Sequence, residues 1–352
     1  MRQSWRTADR RRPELPRWRT ALPVLTFTTV TVAWAAALLV PLNYLSLGPG
    51  QPYDVGSQLT IDPAHDQPTS SHLLSMTVRV RRRLSAFEAL TGWRDSSIDV
   101  IRPQKVFGAE TRAESVVRGQ IEIADAKTVA TVVALRRLGL APTPHGLRVL
   151  DVLEGTPASA LLHKGDVIVV VDGRRLCIGN DLSAALADRR PGDIARVELA
   201  DRRIIAVSLV ASGSRAIIGI GVKTVNCALP FAIRLETGPV IGPSGGLAMT
   251  LGILDRLSPG ELLGGGTVAV TGTIEINGRV GPIGGVKQKT IAARRAGAKL
   301  FIVPNEELAQ ARSHAGPLRV VGVATLDDAL RALRAAGGGG LPTPMTKVGS
   351  NQ

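Results

Sequence analysis

The sequence predicts a mixed α/β (α+β) protein behind one N-terminal transmembrane helix, and three observations carry that prediction. Residues Ala21 to Leu47 run for 27 positions without a charged side chain. Phe231 to Leu235 reads as a strand, and Leu247 to Leu254, with one glycine as its only breaker, reads as a helix. Gln58 to Ile61 and Leu74 to Val80 show the short alternation of half-buried strands, and Leu147 to Val152 reads as another strand. At 352 residues and 44% apolar composition, the chain can bury a sizeable core and should hold two or three domains.

The N-terminal twenty residues are a basic tail, with Arg2, Arg6, Arg10, Arg11, Arg12, Arg17 and Arg19 against Asp9 and Glu14. A bilayer core needs about 20 apolar residues, so residues 21–47 are long enough to span one. Arginine before the run, and no charge after it until Asp54, predict a signal anchor with a cytoplasmic N-terminus and the remaining chain extracytoplasmic. A cleaved signal peptide, with Ala33-Trp34-Ala35 as the small-residue site, is the alternative; the apolar run through Leu42 is too long for an ordinary signal core. The net charge of +14 comes partly from this tail. No nucleic-acid motif accompanies it, and 3% aromatic residues are too few for base-stacking platforms, so no nucleic-acid partner is expected.

Residues 48–125 read as a β-rich extracytoplasmic segment, the least legible part of the chain. Residues 126–212 read as a helix, Ala126 to Leu138, leading into a module of strand, small-residue helix and strand. In it, Leu147-Arg148-Val149-Leu150-Asp151-Val152 precedes Thr156-Pro157-Ala158-Ser159-Ala160 and then Lys164-Gly165-Asp166-Val167-Ile168, with Asp172-Gly173 closing the next strand. This order resembles a PDZ domain of the bacterial protease type. The resemblance implies β-augmentation, in which an extended peptide joins a strand edge and its carboxylate meets backbone N–H groups. His145, Gly146 and Leu147 fall where that carboxylate loop should be. The alternative is a PDZ fold used only for packing or gating.

The chemistry is concentrated in Gly242-Pro243-Ser244-Gly245-Gly246 and in Gly284-Gly285-Val286-Lys287. A serine hydroxyl is a poor nucleophile at its free pKa and needs a base within hydrogen-bond reach, which a desolvated neutral lysine can supply. Ser244 falls at a helix start, where unpaired N–H groups can hold an oxyanion, and Gly242 and Gly245 are the expected positions. A helix-capping serine is the plain alternative. Together with Pro282-Ile283 before the lysine segment, Thr271-Gly272-Thr273-Ile274 and Gly278-Arg279-Val280, these residues resemble the proteolytic domain of Lon proteases over residues 213–335. The resemblance implies a Ser/Lys dyad, Ser244 with Lys287, and a lysine-positioning role for Thr271. Lys289, two residues on and facing the other side of its helix, is the rival base, and the motif register favours Lys287. Two departures stand out: Gly245 replaces the usual alanine, which loosens the helix start, and Val240-Ile241 replaces an acidic residue common before the nucleophile. Residues 336–352 read as a flexible tail.

Gly242 to Gly246 also fits G-x-S-x-G, the nucleophile elbow of α/β-hydrolases, which needs a downstream histidine. Only His314 follows, in a loop-like stretch with little chain after it. The five histidines and two cysteines show no metal-ligand spacing, so neither a metal nor a redox cofactor is expected. Cys177 and Cys227 read as two buried free thiols, with a disulfide as the alternative. No G-x-x-x-x-G-K-[ST] occurs, so the expected activity is ATP-independent cleavage of unfolded or extended polypeptides. The order of anchor, β-rich segment, PDZ-like module and Lon-like domain resembles membrane-anchored PDZ and Lon-type serine proteases, and Lon-type domains commonly assemble as homo-oligomeric rings. An inactive PDZ scaffold is the rival from another class.

Overall fold

The computed structural model describes residues 18–39, 41–67, 69–108, 112–140, 142–143, 145–224 and 227–340; in its first helix, the side chains described are those of residues 25–35. Arg2 to Arg17 of the basic tail, Pro144, and residues 341–352 of the expected C-terminal tail lie outside the described residues. The chain divides into two compact units, one from residues up to Leu47 with Val80–Val106, the other from Gly48–Arg79 with Phe107 onwards.

In the first unit, residues 21–47 are not one continuous span. A helix covers Trp18–Leu39, and Leu45 to Leu47 already belong to a strand that pairs antiparallel with Asp99–Ile101. Pro41, which fixes its own φ and disfavours helix in the residue before it, stands between them and bridges to Ser85. Among the described residues no helix is long and apolar enough to cross a membrane. The helix nevertheless exposes Leu25, Phe27, Val30, Val32 and Trp34, and the Trp34 ring lies 5.9 Å from that of Phe87 on the helix Ala86–Arg94.

The second unit is built on a five-stranded sheet in the order Tyr53–Asp54, His72–Ser75, Thr267–Val270, Leu300–Pro304, Arg319–Val323. The last four strands are parallel and the first is antiparallel. Leu300-Phe301-Ile302-Val303-Pro304 is buried at every position, as a central parallel strand covered on both faces must be. The helices Val286–Arg295 and Leu308–Ala315 flank it in sequence, so each parallel connection runs through a helix.

The helix Gly246–Leu257 is buried from Gly246 through Asp255. A helix apolar on all sides must be sandwiched. Leu247, Leu251 and Leu254 share a core with Val268, Val270 and Ile302 of the sheet and with Val129, Ala130 and Val133 of a long helix, Arg112–Arg137. Leu59–Ile61 pairs with Ile233–Leu235.

Two expected boundaries are thereby corrected. The one placed between 125 and 126 falls inside the long helix, whose apolar face continues across it. The segment 48–125, expected as a single β-rich piece, is divided: Tyr53 to Ser75 completes the sheet, and Val80 to Val106 belongs to the first unit. The boundary at 212/213 also moves, because Ile220–Thr224 pairs with Leu147–Val152 in a separate sheet. That sheet runs Ile204–Ser208, Ile194–Leu199, Val167–Val171, Leu147–Val152, Ile220–Thr224, over its own core of Leu147, Val149, Ile168, Val171, Val197 and Val207. Residues 145–224 are therefore an insertion in the chain of the larger α/β body.

Two ties hold the insertion to that body. Arg136, near the end of the long helix, makes a bidentate pair with Asp181 at 2.9 and 3.1 Å. Asp181 is 1% exposed and also accepts the N–H groups of Cys177 and Ile178, so this buried carboxylate is fully hydrogen-bonded. The second tie is a Cys177–Cys227 disulfide, which corrects the expectation of free thiols. Cross-linking residues 50 apart constrains the unfolded chain by roughly 2–4 kcal/mol. Cys227→Ser should lower the unfolding free energy by about that amount in urea titration, and mild reduction of the wild-type protein should reproduce the loss.

Candidate active site

Ser244 lies in the single 3-10 turn Pro243–Gly245 that opens the buried helix. The turn begins at Gly242 with φ +88°, a conformation costly for any residue with a Cβ. The serine's backbone is held from the far side. Its carbonyl accepts the Gly272 N–H at 2.9 Å and the Thr271 hydroxyl at 3.2 Å, and Leu247 N–H in turn donates to Gly272 O at 3.0 Å. The nucleophile turn is thus stitched to the end of the strand Thr267–Val270.

The lysine that reaches Ser244 is Lys289. Its Nζ lies 2.9 Å from Ser244 Oγ and 3.1 Å from Thr271 Oγ1. Lys287, the expected partner, is half-buried two residues earlier on the same helix. Residues two apart point about 200° away from each other at 3.6 residues per turn, so only one of the two can face the serine. Long helical side chains also lean towards the helix N-terminus. A lysine in the fourth position of Val286–Arg295 therefore reaches back along the first turn, and Lys289 occupies that position. Helix direction, readable in the sequence, favours Lys289; motif register alone did not.

Lys289 is 3% exposed and Thr271 1% exposed. Burial pushes the Lys289 ammonium down to about 8, against a smaller opposing pull from the Glu307 carboxylate. A neutral amine is therefore accessible near neutral pH, already in contact with the hydroxyl it would deprotonate. Thr271, expected to position the lysine, touches both the lysine amine and the serine carbonyl.

The expected oxyanion groups need revision. Gly242 N–H donates to Gly119 O at 2.9 Å, so it is not available to a substrate. The N–H groups of Gly246 and Leu247 are also taken, by Pro243 O and Gly272 O. The Ser244 N–H has no partner among the described residues. The missing methyl at Gly245 does not leave a gap either. A Cβ there would stand 3.3 Å from both Ser75 Oγ and Tyr53 OH, so these two hydroxyls close the space.

His314 lies on the helix Leu308–Ala315, not in a loop, and its described contact is its carbonyl accepting from Arg294. In the inserted module, Leu147 is paired on both sides, to Thr224 and to Ile168. Leu147 therefore offers no free strand edge to an added peptide. Among the described residues the sheet ends at Ile220–Thr224 on the side next to Leu147–Val152, and at Ile204–Ser208 on the other. Among the described residues no cluster of His, Cys, Asp and Glu could hold a metal ion.

Residues 231–332 match the family model of the Lon protease (S16) C-terminal proteolytic domain. This region is similar to a Lon-type proteolytic domain. The matched stretch is 38% identical over 92 residues to Lon protease 2 of Bacillus subtilis, covering 26% of this chain and 16% of that protein. It is 34% identical over 100 residues to the Lon protease of Mycolicibacterium smegmatis, covering 28% of this chain and 12% of that protein. The chain thus spans less than a fifth of the length of these relatives. A solved PDZ domain of an SdrC-like protein from Listeria monocytogenes matches 23% of this chain and 90% of its own, at 25% identity and a TM-score of 0.22. The Lon-type match omits Tyr53 to Ser75 and the long helix, although both pack into the same body.

If Lys289 is the base, Lys289→Ala should reduce peptide hydrolysis by at least about 10³-fold, since members of one catalytic unit fail together. Lys287→Ala should keep activity within a few fold of wild type. Initial-rate kinetics on one fluorogenic peptide, with circular dichroism for folding, checks both.

Proposed function

We propose that this chain is an ATP-independent serine endopeptidase in which Ser244 attacks the peptide carbonyl and Lys289 is the general base. The observation that carries this reading is the 2.9 Å contact between Ser244 Oγ and a lysine amine buried to 3% exposure. In the reaction, neutral Lys289 takes the hydroxyl proton as Oγ bonds to the carbonyl carbon. The oxyanion is met by the Ser244 N–H, with that of Gly245 beside it. The lysine ammonium then protonates the leaving amine, and water reverses the sequence to release the acyl group. Thr271 keeps the amine on the serine throughout.

The inserted module receives extended peptide segments at the open edge of Ile220–Thr224, where backbone hydrogen bonds supply the affinity. The N-terminal segment holds the enzyme at a membrane, with the body on the extracytoplasmic side. Three features support that placement: the 27 uncharged residues, the exposed apolar side chains from Leu25 to Trp34, and a disulfide, which persists in oxidising compartments. Substrates arrive unfolded or as exposed chain ends, since the chain carries no phosphate-binding loop for driven unfolding.

Digestion of an unfolded protein by the wild-type chain and by Ser244→Ala, without nucleotide and with a metal chelator present, tests the activity. Cleavage confined to the wild type is expected, and equal digestion by both would sink the proposal.

The pH dependence follows from the lysine. Only the neutral amine accepts the proton, and its pKa is lowered to about 8. kcat/KM should therefore rise about tenfold per pH unit below that value and level off above it. Lys289→Arg should be inactive across the whole range, because guanidinium does not deprotonate. A pH–rate profile flat from pH 6 to 9 would exclude lysine as the base.

A further inference from the structure

Gly119 lies in the long helix Arg112–Arg137 and is buried. Glycine in a helix interior weakens the helix relative to alanine, so its presence there calls for a specific reason. Two contacts supply one. The Gly119 carbonyl accepts the Gly242 N–H at 2.9 Å. A Cβ at Gly119 would lie 3.1 Å from Ile241 Cβ, 3.2 Å from its Cδ1 and 3.4 Å from its Cγ1. The loop that carries the nucleophile thus rests on bare helix backbone, one residue by hydrogen bond and the preceding one by close packing.

We propose that Gly119 is a positioning residue for Ser244. It acts through the loop and touches no reacting atom, and this role rests on the Ser/Lys reading of the site. A methyl group at 119 would press first on Ile241 Cβ, an atom fixed to the loop backbone that no rotamer change can move away. The hydrogen bond from Gly242 keeps the loop from lifting as a whole without breaking. The strain therefore passes to Gly242, Pro243 and Ser244, whose carbonyl is anchored on its other side by Gly272 and Thr271. With one side fixed and the other pushed, the hydroxyl shifts relative to the Lys289 amine. The same hydrogen bond also removes Gly242 as an oxyanion donor and so determines which N–H groups face the substrate. Gly119 lies more than a hundred residues before the region that matches the Lon-type family, so its part in the site follows from packing alone.

The test compares wild type, Ser244→Ala, Gly119→Ala and the double variant Gly119→Ala with Ile241→Gly, which removes the Cβ that a methyl at 119 would meet, on one fluorogenic peptide. Gly119→Ala should lower kcat about 10²-fold, the scale expected for a misplaced reacting group, with KM changed less than about threefold. Its thermal midpoint should not fall in step, because alanine is the better helix former. Trimming Ile241 in the double variant should recover at least about tenfold of the lost kcat, which a general structural defect would not allow. Wild-type kcat in Gly119→Ala, or no recovery in the double variant, overturns the proposal. Should Gly119→Ala fail to fold, Ile241→Gly probes the same seat from the loop side. That variant should lose at least about fivefold in kcat with an unchanged circular dichroism spectrum, and a wild-type kcat there also overturns the proposal. Hydrolysis by wild type no greater than by Ser244→Ala would instead reject the underlying Ser/Lys reading, so the two failures are distinguishable.

Discussion

The amine of Lys289 sits in almost complete burial between two hydroxyls, and much of the surrounding architecture keeps it there. A buried ammonium is costly unless paired, and here its partners are the neutral oxygens of Ser244 and Thr271. The environment shifts the amine towards its unprotonated form, the state a general base requires. The dryness comes from the sheet and helices around it. Val286 and Ala292 of the lysine's own helix share a core with Phe301 and Val303 of the central strand. The nucleophile helix is covered by the sheet and by the long helix.

Burial of the lysine also explains why the body is assembled from distant pieces of chain. A sheet ending at Thr267–Val270 would leave that strand's other edge exposed beside Thr271. His72–Ser75 fills the edge in parallel register, with Ser75 opposite Val270, and Tyr53–Asp54 follows it antiparallel. The same two strands bring Tyr53 and Ser75 up to Gly245. On the other face, the long helix supplies core packing and the backbone seat at Gly119. The inserted module departs from the end of that helix and returns by Cys227, and both its junctions are pinned, by Arg136–Asp181 and by Cys177–Cys227. An insertion with its own core can be accommodated there because both its ends meet the body at fixed points.

Legibility in the sequence followed the range of the interactions. The turn at Gly242 to Gly246, the apolar helix after it, the strand within Phe231 to Leu235 and the strand-rich insertion are all encoded by local patterns, and each occurs where its pattern lies. Ser244 and Thr271 were legible for the same reason. The choice between Lys287 and Lys289 was not carried by motif register. It depended on the side-chain lean within one helical turn, a local rule with a non-local consequence. The hydrogen bond that occupies Gly242 was invisible, because its acceptor lies 123 positions earlier in the chain.

By itself, the sequence determined the kinds of element, the nucleophile turn and the presence of lysines within reach, because these depend on spacing of one to four residues and on backbone preferences. Tertiary structure alone decided how completely the lysine favoured by helix direction loses its water, and which N–H groups stay open. It also decided that residues 53–75 and the long helix belong to the body that holds Ser244 and Lys289, and that the two cysteines meet. Each of those outcomes depends on what else fills the space around a group, and that is set by chain segments far away in sequence.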